Sequence, residues 1–126
     1  MKILDDRQYS KDHEWIVFSG TTARVGITDY AQDALGDVVF VQLPNIGDKF
    51  TAGSTCCEVE STKSVSDIYV PLAGVIITVN VKLSDTPGLV NSDPYGEGWI
   101  FELQLDGQPE NSDLLDAKSY RQLIEG

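Results

Sequence analysis

One lysine, Lys63, stands between two runs of strand-forming residues in the segment STCCEVESTKSVSDIYV, residues 54–70. If Thr62 and Lys63 form a short loop, the two runs pair as a β-hairpin and the amine lies at its tip. Water and nearby carboxylates both favour the charged ammonium there, so the lysine is a poor base or nucleophile. It is, however, an accessible amine that an enzyme could acylate. An ordinary solvated lysine is the alternative.

The loop position also fixes which residues of the hairpin face each other. Cys57 should pair with Ile68 on a mainly apolar face, and Glu58 should pair with Asp67 on an acidic face. Like charges that face each other across strands are unfavourable. The acidic face is therefore expected either to be solvated or to be recognised by a partner protein.

Other reactive residues are few. His13 is the single histidine, and Cys56 and Cys57 are the only cysteines. Because neighbours in a regular strand point to opposite faces, we expect neither a disulfide between the cysteines nor a metal ion held by both. A Cys–His nucleophilic pair is disfavoured, since one cysteine is expected in the core and the other lies in a strand without a helix N-terminus to activate it. We therefore expect no catalytic residues and no metal site, and hence a protein that is not an enzyme.

Composition limits the classes of partner. The chain has 126 residues with a net charge of −11, which suits one globular domain spanning 1–126 and disfavours binding to nucleic acid or anionic lipid. No stretch is apolar for long enough to span a membrane, and the first residues lack the apolar core of a signal peptide. We expect a cytoplasmic protein; the mature form of a mitochondrial protein is the alternative left open.

Short apolar runs separated by turn signals predict an all-β fold. A short helix should follow the second strand, with Asp29 as its N-cap, Leu35 near its end and Gly36 as its stop. Asp113 could cap one of the short helices expected in a C-terminal tail over about 111–125. The predicted strands are 15–18, 22–27, 37–43, 49–50, 54–60, 65–70, 75–83 and 99–105, with a loop over 84–98.

Several longer stretches carry a resemblance to a known family. They are YSKDHEW (9–15), VGITDYAQDALGDVVFVQLP (25–44), VESTKSVSDIYVPLAGVI (59–76), LVNSDPYGEGW (89–99) and LLDAKSY (114–120). In order and spacing, the chain resembles the H proteins of the glycine cleavage system. The resemblance implies a barrel-sandwich hybrid of the lipoyl/biotinyl type, built from two antiparallel sheets.

The resemblance also assigns roles around the hairpin tip. It implies that Lys63 carries (R)-lipoate in amide linkage, and that Glu60 is recognised by the lipoate-attaching enzymes. Thr62 and Ser64 depart from the valine and alanine that usually flank the lysine in this family. Both changes keep the flanking side chains small, so we expect modification to be retained.

The implied function is that of a lipoyl carrier protein in glycine catabolism and one-carbon metabolism. The lipoyl arm would take the aminomethyl group of glycine from a pyridoxal-phosphate-dependent glycine decarboxylase to the aminomethyltransferase. Dihydrolipoyl dehydrogenase would then reoxidise the arm. Glu14 and Asp67 match positions of the cleft that holds the loaded arm, where a carboxylate could contact the cationic aminomethyl nitrogen. A solvated acid is the alternative for Glu14, and the role of Asp12 stays open.

Two other functions remain open at this stage. Thr62, Ser64 and the cysteine pair leave room for an H-like protein that acts in lipoate relay or sulfur oxidation. An unmodified interaction module is the other possibility. In each case we expect a monomer.

Overall fold

A computed structural model describes residues 2–105 and 114–125. The described residues form β-strands and short helices, numbered here in chain order. The strands are β1 (Gln8–Tyr9), β2 (Glu14–Ser19), β3 (Thr22–Ile27), β4 (Val38–Gln42), β5 (Lys49–Phe50), β6 (Thr55–Ser61), β7 (Val65–Tyr69), β8 (Gly74–Val79) and β9 (Phe101–Leu105). The helices are α1 (Asp29–Leu35), α2 (Lys82–Asp85), α3 (Leu89–Ser92) and α4 (Ala117–Glu125).

The described strands form two antiparallel sheets. One sheet has six strands in the order β1-β2-β3-β9-β8-β5, and the other has three in the order β4-β6-β7. The predicted all-β class is confirmed, and the short helix α1 follows strand 22–27 as expected. The hairpin that carries Lys63 is formed by β6 and β7, so its tip belongs to the smaller sheet.

The main core consists of alternate residues from both sheets. Val25 and Ile76 of the larger sheet are fully buried, as is Val59 of the smaller one, whereas Arg24 next to Val25 is exposed. Removal of this apolar surface from water is the dominant favourable term for such a fold. The β6–β7 hairpin is therefore fixed at its base by the core, while its tip extends beyond it.

A second cluster lies on the outer face of the larger sheet. Adjacent residues of β2 point to opposite faces, so Ile16 enters the main core while Trp15 packs in this cluster with Tyr9, Ala117 and Tyr120. The last two residues belong to the start and middle of α4. The tail helix thus covers a face of the sheet that would otherwise expose large aromatic side chains.

Helix α1 begins one residue differently from the prediction. Thr28, not Asp29, is its N-cap: the Thr28 hydroxyl oxygen accepts a hydrogen bond of 3.1 Å from the backbone N–H of Ala31. Asp29 is the first helical residue instead, where a negative charge favours the helix dipole. Gly36 ends the helix at a φ of 85°, as predicted from its position.

The predicted strand 75–83 was too long. The strand ends at Val79, and the side-chain amide of the next residue, Asn80, donates hydrogen bonds of 2.7 Å to the carbonyls of Glu97 and Trp99. Leu83 enters the core from α2, and α3 occupies part of the predicted loop 84–98. A helical turn buries Leu83 as well as a strand would, which is why the apolar pattern misled the prediction.

The two ends of the described chain meet. Strand β1, which was not predicted, pairs with β2, and Tyr9 also forms a bridge with Leu115 just before α4. The predicted tail helix is present as α4, whereas Asp113 and residues 111–112 lie outside the described residues. No helix among the described residues is both long enough and apolar enough to cross a membrane.

Candidate functional site

Lys63 is exposed at the tip of the β6–β7 hairpin, as predicted. The tip is held by Ser61, a buried residue whose hydroxyl oxygen accepts hydrogen bonds of 3.1 Å from the backbone N–H groups of both Lys63 and Ser64. The N–H of Ser61 in turn donates to the Ser64 carbonyl at 2.8 Å. A serine can close a turn in this way without a glycine. The tip is therefore ordered although it lacks an Asn-Gly or Asp-Gly pair.

The tip is also attached to the rest of the smaller sheet. The N–H of Thr62 donates a hydrogen bond of 3.0 Å to the carbonyl of Asp37, immediately before β4. Beside it, the Lys63 side chain lies over Gly36, where an added Cβ would be only 2.8 Å from Lys63 Cε. Sequence reasoning identified Gly36 as a helix stop but missed this second role. Because Gly36 has no side chain, the aliphatic part of the Lys63 side chain can occupy the space above it.

The predicted register of the hairpin is confirmed from Cys57 to Glu60, whereas a bulge shifts it between Thr55 and Cys57. Glu58 pairs with Asp67 and Cys57 pairs with Ile68, so the acidic face and the core face are as expected. Glu60 is exposed on the acidic face, directly opposite Val65. Among the described residues, the ion pairs are Arg7–Asp6, Arg24–Glu102 and Lys82–Glu97, and none of them neutralises these hairpin carboxylates.

A groove of about 200 Å³ lies between α1 and β7. Its polar and aromatic lining consists of Asp67 of β7 together with Asp12, His13 and Tyr30. The His13 and Tyr30 rings are 4.8 Å apart, and burial lowers the pKa of His13, which favours its neutral form at pH 7. The remainder of the lining is mostly apolar and comes from α1, from the end of β3 and from Ser66 and Ile68 of β7. Such a groove can hold an apolar chain with a cationic group near Asp67.

Glu14 is not a solvated acid, since only 1% of it is exposed. One carboxyl oxygen accepts a hydrogen bond of 2.7 Å from the Ser10 hydroxyl, and the other accepts one of 3.2 Å from the Tyr69 N–H. Burial raises the pKa of Glu14 to about 7, although these two hydrogen bonds oppose the rise. The side chain thus links β2 to β7 across the two sheets.

The two predicted cleft carboxylates lie in neighbouring depressions. Glu14 lines a cavity of about 260 Å³ together with Ser10 and Val70, whereas Asp67 lines the groove described above. Asp12 lines both depressions and lies at their junction. The structure therefore places Glu14 and Asp67 on either side of Asp12, rather than face to face in one pocket.

The cysteine pair departs from the regular strand that was assumed. The register of β6 against β7 shifts between Thr55 and Cys57, and this bulge brings the Sγ atoms of Cys56 and Cys57 to 3.5 Å. The expectation of opposite faces is therefore wrong for this pair, although both are free thiols. Contact with Cys56 and burial raise the pKa of the Cys57 thiol, so it is a weak nucleophile. In residues 2–105 and 114–125, no cluster of three His, Cys, Asp or Glu residues could hold a metal ion.

Comparison with known proteins identifies the family. A family model described as glycine cleavage H-protein matches residues 7–126. The chain belongs to the glycine cleavage H-protein family. A relative named glycine cleavage system H protein from Thermus thermophilus is 54% identical over 125 residues, which cover 99% of this chain and 98% of the relative. Another of the same name, from Mycobacterium bovis, is 57% identical over 126 residues, which cover 94% of each chain.

A solved structure from the same family has the same fold. The crystal structure of a glycine cleavage system H protein from Mycobacterium marinum superimposes with a TM-score of 0.88 at 45% sequence identity. The match covers 98% of this chain and 100% of the other. The predicted barrel-sandwich hybrid of two antiparallel sheets is thereby confirmed for this member of the H-protein family.

Proposed function

We propose that this protein is a lipoyl carrier of the glycine cleavage system, with lipoate attached to Lys63. The observation that carries the proposal is an exposed lysine on an ordered hairpin tip in a chain of the H-protein family. Relatives with 50–57% identity over nearly the whole chain share one name, which does not favour a lipoate relay, a sulfur-oxidation carrier or an unmodified module.

The residues around Lys63 fit an attached lipoyl group. Its amine is exposed, its stem lies in the space beside Gly36, and Ser61 fixes the backbone from which it extends. When bound, lipoate supplies a disulfide that accepts the aminomethyl group of glycine and is later regenerated by oxidation. The protein itself supplies a tether, which keeps that group at high effective concentration in each active site that it visits. It acts as a carrier and not as an enzyme.

The carboxylates serve recognition and protection in this proposal. Glu60, exposed on the acidic face three positions before Lys63, is recognised by the lipoate-attaching enzymes. The two depressions that meet at Asp12 receive the loaded arm. Asp67 lines the groove and contacts the cationic aminomethyl end of the loaded arm. Glu14 fixes the position of Ser10 and of the Tyr69 backbone through its two hydrogen bonds.

Membership of the H-protein family supports the partners that we propose. They are the pyridoxal-phosphate-dependent glycine decarboxylase, the aminomethyltransferase, dihydrolipoyl dehydrogenase and the lipoate-attaching enzymes. We also propose that the protein is a monomer of one domain in the cytoplasm; its free thiols and its bacterial relatives support the cytoplasmic location.

Mass spectrometry of the protein from its native host tests the attachment. We expect the peptide that contains Lys63 to carry the added mass of one lipoyl group, and the corresponding peptide of the Lys63→Ala variant to lack it.

The Lys63→Ala variant should also lose glycine–bicarbonate exchange with purified glycine decarboxylase. Its denaturation midpoint should match wild type, since an exposed tip contributes little to packing. An unmodified Lys63 peptide from the host would refute the proposal, and a fully lipoylated protein without exchange activity would favour the relay.

A further inference from the structure

Cys56 and Cys57, the only cysteines of the chain, form a pair of adjacent thiols that the proposed carrier function does not use. The bulge in β6 brings their Sγ atoms to 3.5 Å, whereas consecutive side chains of a regular strand point to opposite faces. Cys57 is only 5% exposed, while Cys56 is half-buried, so a small molecule in solution can reach the latter. The pair is therefore a preformed dithiol with one accessible side.

A direct bond between the two sulfurs fits this pair poorly. The peptide bond between the cysteines is trans, which sets their Cα atoms about 3.8 Å apart. Disulfides ordinarily join residues whose Cα atoms are about 4.4–6.8 Å apart, so a Cys56–Cys57 disulfide would be strained. An additional atom between the two sulfurs enlarges the ring and relieves that strain.

The distance between the sulfurs indicates the geometry of an atom that could bridge them. Two bonds of about 2.3 Å, the usual length for a thiolate on zinc, enclose an angle of roughly 100° when their sulfur ends are 3.5 Å apart. A cation with two ligands in a line would need the sulfurs about 4.6 Å apart at the same bond length. A pyramidal atom with three single bonds, such as trivalent arsenic, has bond angles close to the one required here.

The surroundings of the thiols favour a neutral reagent over a metal cation. Contact with Cys56 and burial raise the pKa of the Cys57 thiol, and the carboxyl groups of Glu14 and Glu58 act in the same direction. The Cys57 thiol thus keeps its proton at pH 7, whereas a metal cation is bound by thiolates. A trivalent arsenical reacts by condensation instead, so each thiol proton leaves with an oxygen of the reagent as water.

We propose that Cys56 and Cys57 form a bidentate binding site for organic trivalent arsenicals with one carbon substituent. In the reaction with a compound R–As(OH)₂, two As–S bonds form, two As–O bonds break and two molecules of water leave. Arsenic stays trivalent, so the reaction needs no oxidant or reductant. Because the bulge already holds the sulfurs at a suitable distance, the folded protein should bind more tightly than an unfolded chain with the same cysteines. The site does not involve Lys63 and is independent of the proposed carrier function.

Competition with a monothiol tests the bidentate site. The probe is phenylarsine oxide, which hydrates to a compound of the R–As(OH)₂ type, and the full chain is used reduced and without lipoate, so that no lipoyl thiols compete. Intact mass should show one phenylarsenic group per chain, retained in excess 2-mercaptoethanol and removed by a small dithiol. Cys56→Ser should weaken binding by roughly 10²-fold or more, because the second As–S bond is then no longer intramolecular.

The double variant Cys56→Ser with Glu58→Cys is the matched control. It keeps two consecutive thiols, but positions 57 and 58 lie in the regular part of β6, where side chains point to opposite faces. Its affinity for phenylarsine oxide should be as low as that of Cys56→Ser. Positions 56 and 58 are both partly exposed, so denaturation midpoints close to wild type are expected and show that each variant is folded.

The melting temperature decides whether the folded bulge, and not merely the Cys-Cys sequence, forms the site. A tenfold preference of phenylarsine oxide for the folded state should raise Tm by roughly 5 °C. An unchanged or lower Tm would overturn the proposal, as would loss of the adduct to 2-mercaptoethanol or equally tight binding by the double variant. Ready formation of a Cys56–Cys57 disulfide with oxidised glutathione would overturn it too, because the sulfurs would then join without a bridging atom.

Discussion

At the scale of single residues, Glu14 combines full burial with a titration near neutral pH. Burial raises its pKa from the ordinary value of 4.5 to about 7, against opposition from Ser10 and the Tyr69 N–H. Between these two pH values the native state keeps a proton that the unfolded chain has lost. The free energy of unfolding therefore falls as pH rises across that window. Above about pH 7, Glu14 is deprotonated in both states and causes no further change in that free energy.

The variant Glu14→Gln isolates this effect, because a neutral amide mimics the protonated carboxyl group. Wild type should lose about 3 kcal/mol of unfolding free energy relative to Glu14→Gln between pH 4.5 and pH 8, the amount that corresponds to the raised pKa. Urea denaturation of both proteins at a series of pH values measures the difference. Parallel pH curves for the two proteins would show that Glu14 ionises normally.

At the scale of elements, the hairpin tip meets the end of α1 through Gly36 and Lys63. Gly36→Ala should destabilise the fold by about 1 kcal/mol, because alanine is strained at a φ of 85°. Its Cβ should also displace the Lys63 stem and slow acylation of the amine by a lipoate–protein ligase. Gly53→Ala is the control: Gly53 has a φ of 88°, but nothing lies within 4 Å of its added Cβ. Both variants should lose similar stability, and equal acylation rates would contradict a role for the contact.

Hairpin pairing was predictable from the sequence because alternation and loop position determine it locally. The Glu58–Asp67 pair followed once Thr62 and Lys63 were taken as the loop. The bulges at Val39 and Cys56 were not predictable, since VVFV and TCCE read equally well as regular strand. These irregularities determine that Phe40 is exposed and that the two thiols are adjacent. The burial of Glu14 was not predictable either, because it depends on contact with β7, more than fifty residues away in the chain.

At the scale of the whole molecule, one hydroxyl group joins the tail helix to the groove. Tyr120 of α4 stacks on Tyr9 with ring centroids 4.6 Å apart. Its oxygen lies 2.7 Å from Thr28 Oγ1, the N-cap of α1, and 2.9 Å from His13 Nδ1. His13 and α1 both line the groove proposed to receive the loaded arm. The tail therefore supports the groove from behind, although it contributes no residue to the lining.

Tyr120→Phe should keep the aromatic packing but remove both hydrogen bonds. Because the Thr28 hydroxyl and His13 then lose a buried partner, we expect a cost of about 1–3 kcal/mol and a fall in Tm of roughly 5 °C. Tyr30→Phe is the matched control, since Tyr30 also packs on His13 but has no hydroxyl hydrogen bond among the described residues. Scanning calorimetry gives both Tm values, and the His13 ring resonances report whether the imidazole becomes mobile. If the two variants melt together and the His13 signals are unchanged, the tail does not hold the groove through this hydroxyl, and packing of Tyr120 against Tyr9 accounts for its burial.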